Sequence, residues 1–343
     1  MQALQINSLL ICSLGLFTSL QPPGQTGTDH GFLEMVKGGD LEHVQLSSGP
    51  FRGHLLRSEF GGNVLDAGIY SQDILVRGTL SEDRVTLGYI LKGSRAGYFN
   101  DKRLAMHDII VISEGGAMEP YRLPADTQWV SFQTQREILE REGIPLPVRG
   151  NLAVHPGFSS ESLQLGQLVQ EIITPAQSQE PALNGGGAKD GVVLEDSLIA
   201  AFRGAIDASQ DTEPRLRRPR PDKCMRMLRQ NEEFIECNLK NEIRILELCA
   251  EIGTSQRTLE YLFKDYYGMS PRQYLTVRRL NAVRQCLLEA EPRDVSVASV
   301  ATRFNFNHPG RFARTYFKLF DELPSATLSS PKQTTIDRFG SNR

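Results

Sequence analysis

Between about Gly31 and Thr134 the apolar residues fall in short runs, HLLRSEF, NVLDAGIYSQDILVRGTL, RVTLGYILKG, AGYFNDKRLAMHDIIVISEGG and TQWVSFQ, separated by Gly, Asn and Asp. Strand-length runs with turn formers between them predict an antiparallel sandwich or barrel. The period then lengthens. Arg136 to Glu142 begins a helical pattern, and Ser159 to Ile173 carries Leu and Ile at helical spacing behind Ser159 as N-cap. Residues 174–191, rich in Pro, Gly and Gln, have no period and read as a flexible loop. A helix from Val192 to Ile206 follows. Ser209 to Pro221 (SQDTEPRLRRPRP) mixes prolines with arginines and reads as a linker.

Beyond Pro221 the pattern is helical throughout: Asp222–Leu239, Ile243–Glu251, Ser255–Tyr266, a long helix from Ser270 to about Ala290, a fifth capped by Ser296, and a sixth from His308 or Pro309 to Phe320. A short closing helix at Pro324–Leu328 completes the series. Ser270 followed by Pro271 is a good helix start, because proline lacks the N–H that would be unpaired at the first position. Gly253 and Asn305 stand where the chain must turn tightly, and both tolerate left-handed backbone.

Charge divides the chain in the same place. Before and including Pro214 there are 15 basic and 26 acidic residues, and after it 23 basic and 15 acidic, although the whole carries only −3. A basic module joined to an acidic one points to a polyanion partner for the C-terminal part. Five cysteines without a Cys-x-x-Cys pair read as reduced, mostly buried small hydrophobes and favour the cytoplasm. The apolar stretch Leu9–Leu20 has no basic residue before it, which argues against a secretory signal, and residues 1–30 read as a poorly ordered leader or an over-extended start. No apolar run reaches the roughly 18 residues that a membrane span needs.

Two C-terminal segments share one grammar. Leu246, Leu248, Cys249 and Ala250 precede the Gly253 turn, and Leu259, Leu262 and Phe263 give the next helix an apolar side. Val300, Ala301, the Asn305 turn, Phe312 and Tyr316 repeat the scheme. A helix-turn-helix needs this arrangement, since its second helix packs with one face and reads DNA with the other.

The segments LELCAEIGTSQRTLEYLFKDYYGMSPRQYLTVRRLNAVRQCLLEA and SVASVATRFNFNHPGRFARTYFKLFDELPS resemble the DNA-binding domain of the AraC/XylS family of bacterial transcription regulators. The matching residues include Ser255 to Leu259, Phe263-Lys264, Gly268 to Pro271, Tyr274-Leu275, Arg279-Leu280, Ala301, Phe306, Phe312, Arg314 and Pro324-Ser325. RRLNAVR and FARTYFKLF look most like regulators of the ethanolamine-operon type. Two departures stand out: Asn305 and Asp321 occupy positions where the family commonly has Gly. Gly310, early in the sixth helix, offers no side chain to a base, which implies looser reading by the second unit.

The resemblance implies an α+β protein. Its parts would be an N-terminal antiparallel barrel of cupin or jelly-roll type with helices, for sensing or dimerisation (31–208), a linker (209–221), and an all-α DNA-binding domain (222–330) whose two units are joined by a long helix. A disordered tail (331–343) would follow. It also implies double-stranded DNA as partner, with RNA polymerase, a small-molecule effector and a homodimer as further partners. By position, Gln256, Arg257, Glu260 and Tyr261 face the major groove, Arg257 toward guanine and Glu260 toward cytosine, while Lys264 and the helix start at Ser255 and Thr258 suit phosphate. In the second unit His308 and Arg311 face bases, with Arg314 and Lys318 on the backbone; His308 alternatively caps its helix.

Arg278 and Arg279 read as a solvated or salt-bridged face. The Arg215–Arg220 run is a solvated linker that could also brush phosphates. Tyr98, Phe99, Tyr121 and Trp129 are either barrel core or the lining of a ligand pocket. The rivals are an enzyme or metal-binding barrel with a DNA-binding tail and a nonspecific architectural DNA binder. Against the first stand six histidines with no His-x-His pair, no nucleophile motif and no phosphate-cradling glycine loop, so neither metal, cofactor nor catalytic residue is expected. Paired recognition helices argue against the second.

Overall fold

Successive side chains of a strand point to opposite faces, and this alternation sorts the first half of the chain into layers. The computed structural model describes residues 16–20, 36–93, 97–99, 102–177, 188–212 and 223–330. Its strands are β1 (Leu16–Leu20), β2 (Asp40–Gln45), β3 (Gly53–Phe60), β4 (Asn63–Tyr70), β5 (Ile74–Thr79), β6 (Val85–Lys92), β7 (Gly97–Phe99), β8 (Lys102–Leu104), β9 (Ile109–Ile112), β10 (Ala117–Leu123), β11 (Gln128–Thr134) and β12 (Leu152–His155). They form a sheet in the order β1-β3-β4-β11-β6-β9-β12 and a second in the order β2-β5-β10-β7-β8. Neighbouring strands run antiparallel.

Two strands fall outside the sequence expectations. Leu16–Leu20, read above as leader, pairs along β3 from Leu16 opposite Arg57 to Leu20 opposite Gly53. The pairing occupies backbone groups that would otherwise form an open edge. β12 pairs with β9, and its short sequence LAVH carries too little alternation to announce itself. The rest of the leader (1–15 and 21–30), residues 178–187 of the loop, 213–221 of the linker and the tail 331–343 lie outside the described residues.

Helices α1 (Arg136–Arg141), α2 (Ser160–Gln177) and α3 (Ala188–Thr212) accompany the strands. Ser159 Oγ accepts from Ser162 N at 3.0 Å, the cap expected of it. α2 and α3 extend into both ends of the segment read as loop, and α3 also takes the start of the linker, where Ser209 is buried. Ile109 and Val111 pack toward α2 and α3, with Phe132 stacked on Phe202 at 6.2 Å, whereas Ile110 and Ile112 point into the core between the sheets. Leu41, Ile74 and Val76 meet them from the five-stranded sheet, and Val44, Leu46 and Leu75 on its other face join the core of the helical half.

That half comprises α4 (Lys223–Asn238), α5 (Ile245–Glu251), α6 (Gln256–Tyr267), α7 (Pro271–Glu289), α8 (Val297–Arg303), α9 (Pro309–Phe320) and α10 (Pro324–Leu328). Ser270 and Gln273 cap α7 reciprocally, with Ser270 N donating to Gln273 Oε1 at 2.9 Å. Tyr267 stacks on Tyr274 at 4.0 Å and donates its hydroxyl to Glu232 Oε1 at 2.9 Å, which ties α6 to α4 and α7. Arg278 is the buried cation of this knot, ion-paired with Glu236 and 3.8 Å from Glu232 Oε2; only 2% of its side chain is exposed. Its surroundings exclude a solvated role. It is a salt-bridged core residue, while its neighbour Arg279 donates to Leu239 O and Asn241 O.

Two outcomes follow for stability. Arg278→Met strands the buried Glu232 carboxylate and is expected to cost about 3 kcal/mol in urea unfolding, whereas the further change Glu232→Gln restores a large part of it; an additive double variant contradicts this account. Burial pushes the His43 imidazole down from 6.5 to about 4, against the opposing bond to Leu41 O. The unfolded chain therefore takes up the proton first as the pH falls. Stability held by the neutral ring is present above pH 6.5 and is lost toward pH 4, by about 3 kcal/mol in full. His43→Leu should flatten the stability profile within that window, and an unchanged slope would show that the ring does not contribute.

Candidate nucleic-acid interface

The first unit turns between α5 and α6 at Gly253, whose φ of 60° lies in the left-handed region open to glycine. Leu248 and Cys249 are buried on α5, but Leu246 and Ala250 are turned to solvent, Leu246 with 70% exposure, so the inner face of α5 is narrower than the apolar run suggests. Ser255 caps α6, its Oγ accepting from Thr258 N at 3.2 Å, and the Thr258 hydroxyl lies 3.0 Å from the same oxygen. Leu259, Leu262, Phe263, Tyr266 and Tyr267 bury one side of α6.

The opposite side carries the predicted readers. Gln256, Arg257, Glu260, Tyr261 and Lys264 are all exposed. Gln256 Nε2 donates to Glu260 Oε1 at 3.0 Å, one turn apart, which holds both side chains on that face. Tyr261 is 68% exposed, an aromatic ring presented to solvent with Arg257 one turn before it and Lys264 one turn after.

The second unit has the same construction. Ser296 caps α8, accepting from Ser299 N at 3.1 Å, and Asn305 makes the turn at φ 66° while its Nδ2 donates to Lys240 O at 2.9 Å. Asn305 thus does what glycine would do and adds an anchor to the loop that follows α4. Asp321, the other departure, also adopts left-handed backbone, at φ 58° beyond α9. Phe312, Tyr316, Leu319 and Phe320 are buried, and His308, Arg311, Arg314 and Lys318 are exposed on the other side of α9. His308 occupies the N-cap position without a side-chain cap bond, so the capping alternative is not realised. A side chain at Gly310 would meet open space.

α9 is seated on α7 by Arg284, whose guanidinium pairs with Glu322 at 2.8 Å and lies 4.7 Å above the Phe320 ring. By contrast, no ion pair among the described residues engages Arg257, Lys264, Arg311, Arg314 or Lys318. Unpaired, solvated cations are the groups that release counterions when they meet phosphates. Sequence reasoning passed over Phe317, which is 47% exposed among these cations; as an aromatic next to Lys318 it carried no signal to separate it from the core.

Between the two sheets, Phe99, Tyr121 and Trp129 line a small cavity of about 70 Å³ with Tyr70 and His43; the side chain of Tyr98 lies outside the described residues. Phe99 and Tyr121 pack with ring centroids 5.0 Å apart. Among the described residues no cluster of His, Cys, Asp or Glu could hold a metal ion, and no helix is long and apolar enough to cross a membrane.

A family model described as a helix-turn-helix domain matches residues 248–330. The XylDLEGF operon transcriptional activator 2 of Pseudomonas putida is 39% identical over 105 residues, which are 31% of this chain and 67% of that protein. The longer XylDLEGF operon transcriptional activator of the same organism is 38% identical over 101 residues, 29% of this chain. The chain spans only 32% of that second relative's length. The crystal structure of the AraC-like transcriptional activator CuxR aligns over 78% of this chain and 94% of its own, at 14% identity and a TM-score of 0.39. With two packed helix pairs within the matched residues and this degree of identity to a relative covered over two thirds of its length, the chain belongs to the AraC/XylS family of transcription regulators.

Proposed function

We propose that the chain binds a bipartite site on double-stranded DNA and controls transcription from the adjoining promoter, α6 reading one major groove and α9 the next. The observation that carries this reading is the pairing of two amphipathic helices, each backed by a packed partner and each presenting uncompensated cations. α7 joins the two units. Its 19 residues span about 28 Å at 1.5 Å per residue, of the order of one helical turn of DNA.

Within the site, Arg257 offers its fork of donors to guanine, Glu260 accepts from cytosine, and Gln256 and Tyr261 complete the reading face. Ser255, Thr258 and Lys264 meet phosphate. In the second half-site His308 and Arg311 face bases while Arg314 and Lys318 hold the backbone. Relatives named as activators favour activation through RNA polymerase. We read the paired sheets as a cupin- or jelly-roll-like barrel that senses a small-molecule effector in its aromatic-lined interior and supports a homodimer. An address in the cytoplasm agrees with a DNA partner.

Footprinting on duplexes selected from a randomised pool is expected to show protection over about two helical turns. Arg257→Ala should weaken binding by about 1–3 kcal/mol and relax the preference at one base pair, and the Arg257→Ala/Arg311→Ala pair should abolish the footprint. Lys264→Ala and Lys318→Ala should weaken binding to all sequences alike, each lowering the slope of log affinity against log salt by about 1. Equal affinity for every duplex in the pool would refute sequence-specific reading.

A further inference from the structure

The last carbonyls of a helix have no partner within it and attract donors or cations from elsewhere. In both recognition helices such a carbonyl is taken by the sheet-rich half of the chain. Arg122, on β10, donates Nη1 to the carbonyl of Tyr266 at 2.8 Å. Gln45, at the end of β2, donates Nε2 to the carbonyl of Leu319 at 2.8 Å, and Gly49 N donates to the same oxygen at 3.0 Å. Tyr266 and Leu319 are the penultimate residues of α6 and α9, so the two helices are gripped at equivalent points.

Both grips are braced. Arg122 is ion-paired with Asp73, whose other oxygen accepts from Ala125 N at 2.8 Å. The backbone of Gln45 exchanges two bonds of 3.0 Å with the side-chain amide of Asn281 on α7, the helix that separates the two units. β2 and β10 are both bonded to β5 and so belong to one sheet. A single sheet therefore touches the C-terminal end of each reading helix and the helix between them.

We propose that Arg122 and Gln45 are positioning residues for DNA reading: through the five-stranded sheet they fix the separation and register of α6 and α9, and thereby the spacing of half-sites that the chain accepts. This rests on the two-helix reading above. In the helical half by itself, the two units are joined through α7, the loops that flank it in the chain, and the bond from Asn305 Nδ2 to Lys240 O. The sheet adds a further path that takes hold of both helices at their C-terminal ends, and an added linkage restricts their relative rotation.

The test uses the full chain and duplexes from the selected pool whose half-sites are moved apart or together in steps of one base pair, together with duplexes carrying one half-site and a scrambled second. The wild-type chain should favour one spacing. The Arg122→Met/Gln45→Leu variant should bind single half-sites as the wild type does, while its preference for the best spacing over the neighbouring ones falls on the order of tenfold. Arg122→Lys, which keeps a cationic donor, should retain most of the preference. A variant with the wild-type preference overturns the proposal, as does one that loses affinity equally on all duplexes, half-sites included. If the wild-type chain itself gains nothing from a second half-site, the two-helix reading fails instead.

Discussion

Much of this molecule depends on a sheet that is buried on both faces. Along β2 and β5 the side chains alternate between two cores: Leu41, Ile74 and Val76 point into the core between the sheets, and Val44 and Leu75, with Leu46 just beyond β2, point into the helical half. Apolar residues on both faces cannot be satisfied by the packing of the two sheets alone, because one face would then be left in water. The helical half covers that face, and the sheet becomes a wall common to two cores. Arg77, also on the helical side of β5, adds an ion pair to Glu236 at 2.8 Å, beside the buried Arg278.

That shared wall places two different environments within one strand width. Tyr121 and Leu123 line the cavity between the sheets, and Arg122 between them reaches the end of α6. Leu41 and His43 line the same cavity, and Gln45, two residues on, reaches the end of α9. Across β10 the cavity between the sheets and the C-terminal end of α6 are therefore separated by one sheet. The predicted base readers Gln256, Arg257, Glu260, Tyr261, His308 and Arg311 stay exposed.

Charge is used in two ways in the helical half. Arg278 and Arg284 are nearly buried and paired with Glu232, Glu236 and Glu322, so they fix helices to one another. Arg257, Lys264, Arg311, Arg314 and Lys318 stand in solvent and remain available to a polyanion. Composition cannot separate these groups, since both contribute equally to the positive excess after Pro214. Burial separates them. It also explains why Arg279, adjacent to Arg278 and equally basic, spends its donors on the carbonyls of Leu239 and Asn241.

The sequence by itself determined the helices of the C-terminal half almost to the residue, because their signals are local: Ser255, Ser270 and Ser296 as caps, Pro271 at a first turn, Gly253 and Asn305 at turns, and apolar residues every three or four positions. The outward residues of α6 and α9 were legible for the same reason, as the complement of a buried stripe. What only the tertiary structure decided depends on neighbours distant in the chain. β1 and β12 are strands because β3 and β9 offer them open edges, Leu246 is exposed because α5 buries a narrow face, and Arg278 is buried because Glu232 and Glu236 meet it there. The links from Gln45 to Leu319 and from Arg122 to Tyr266 span 274 and 144 residues, and no local pattern of apolar and polar positions encodes a partner at that distance.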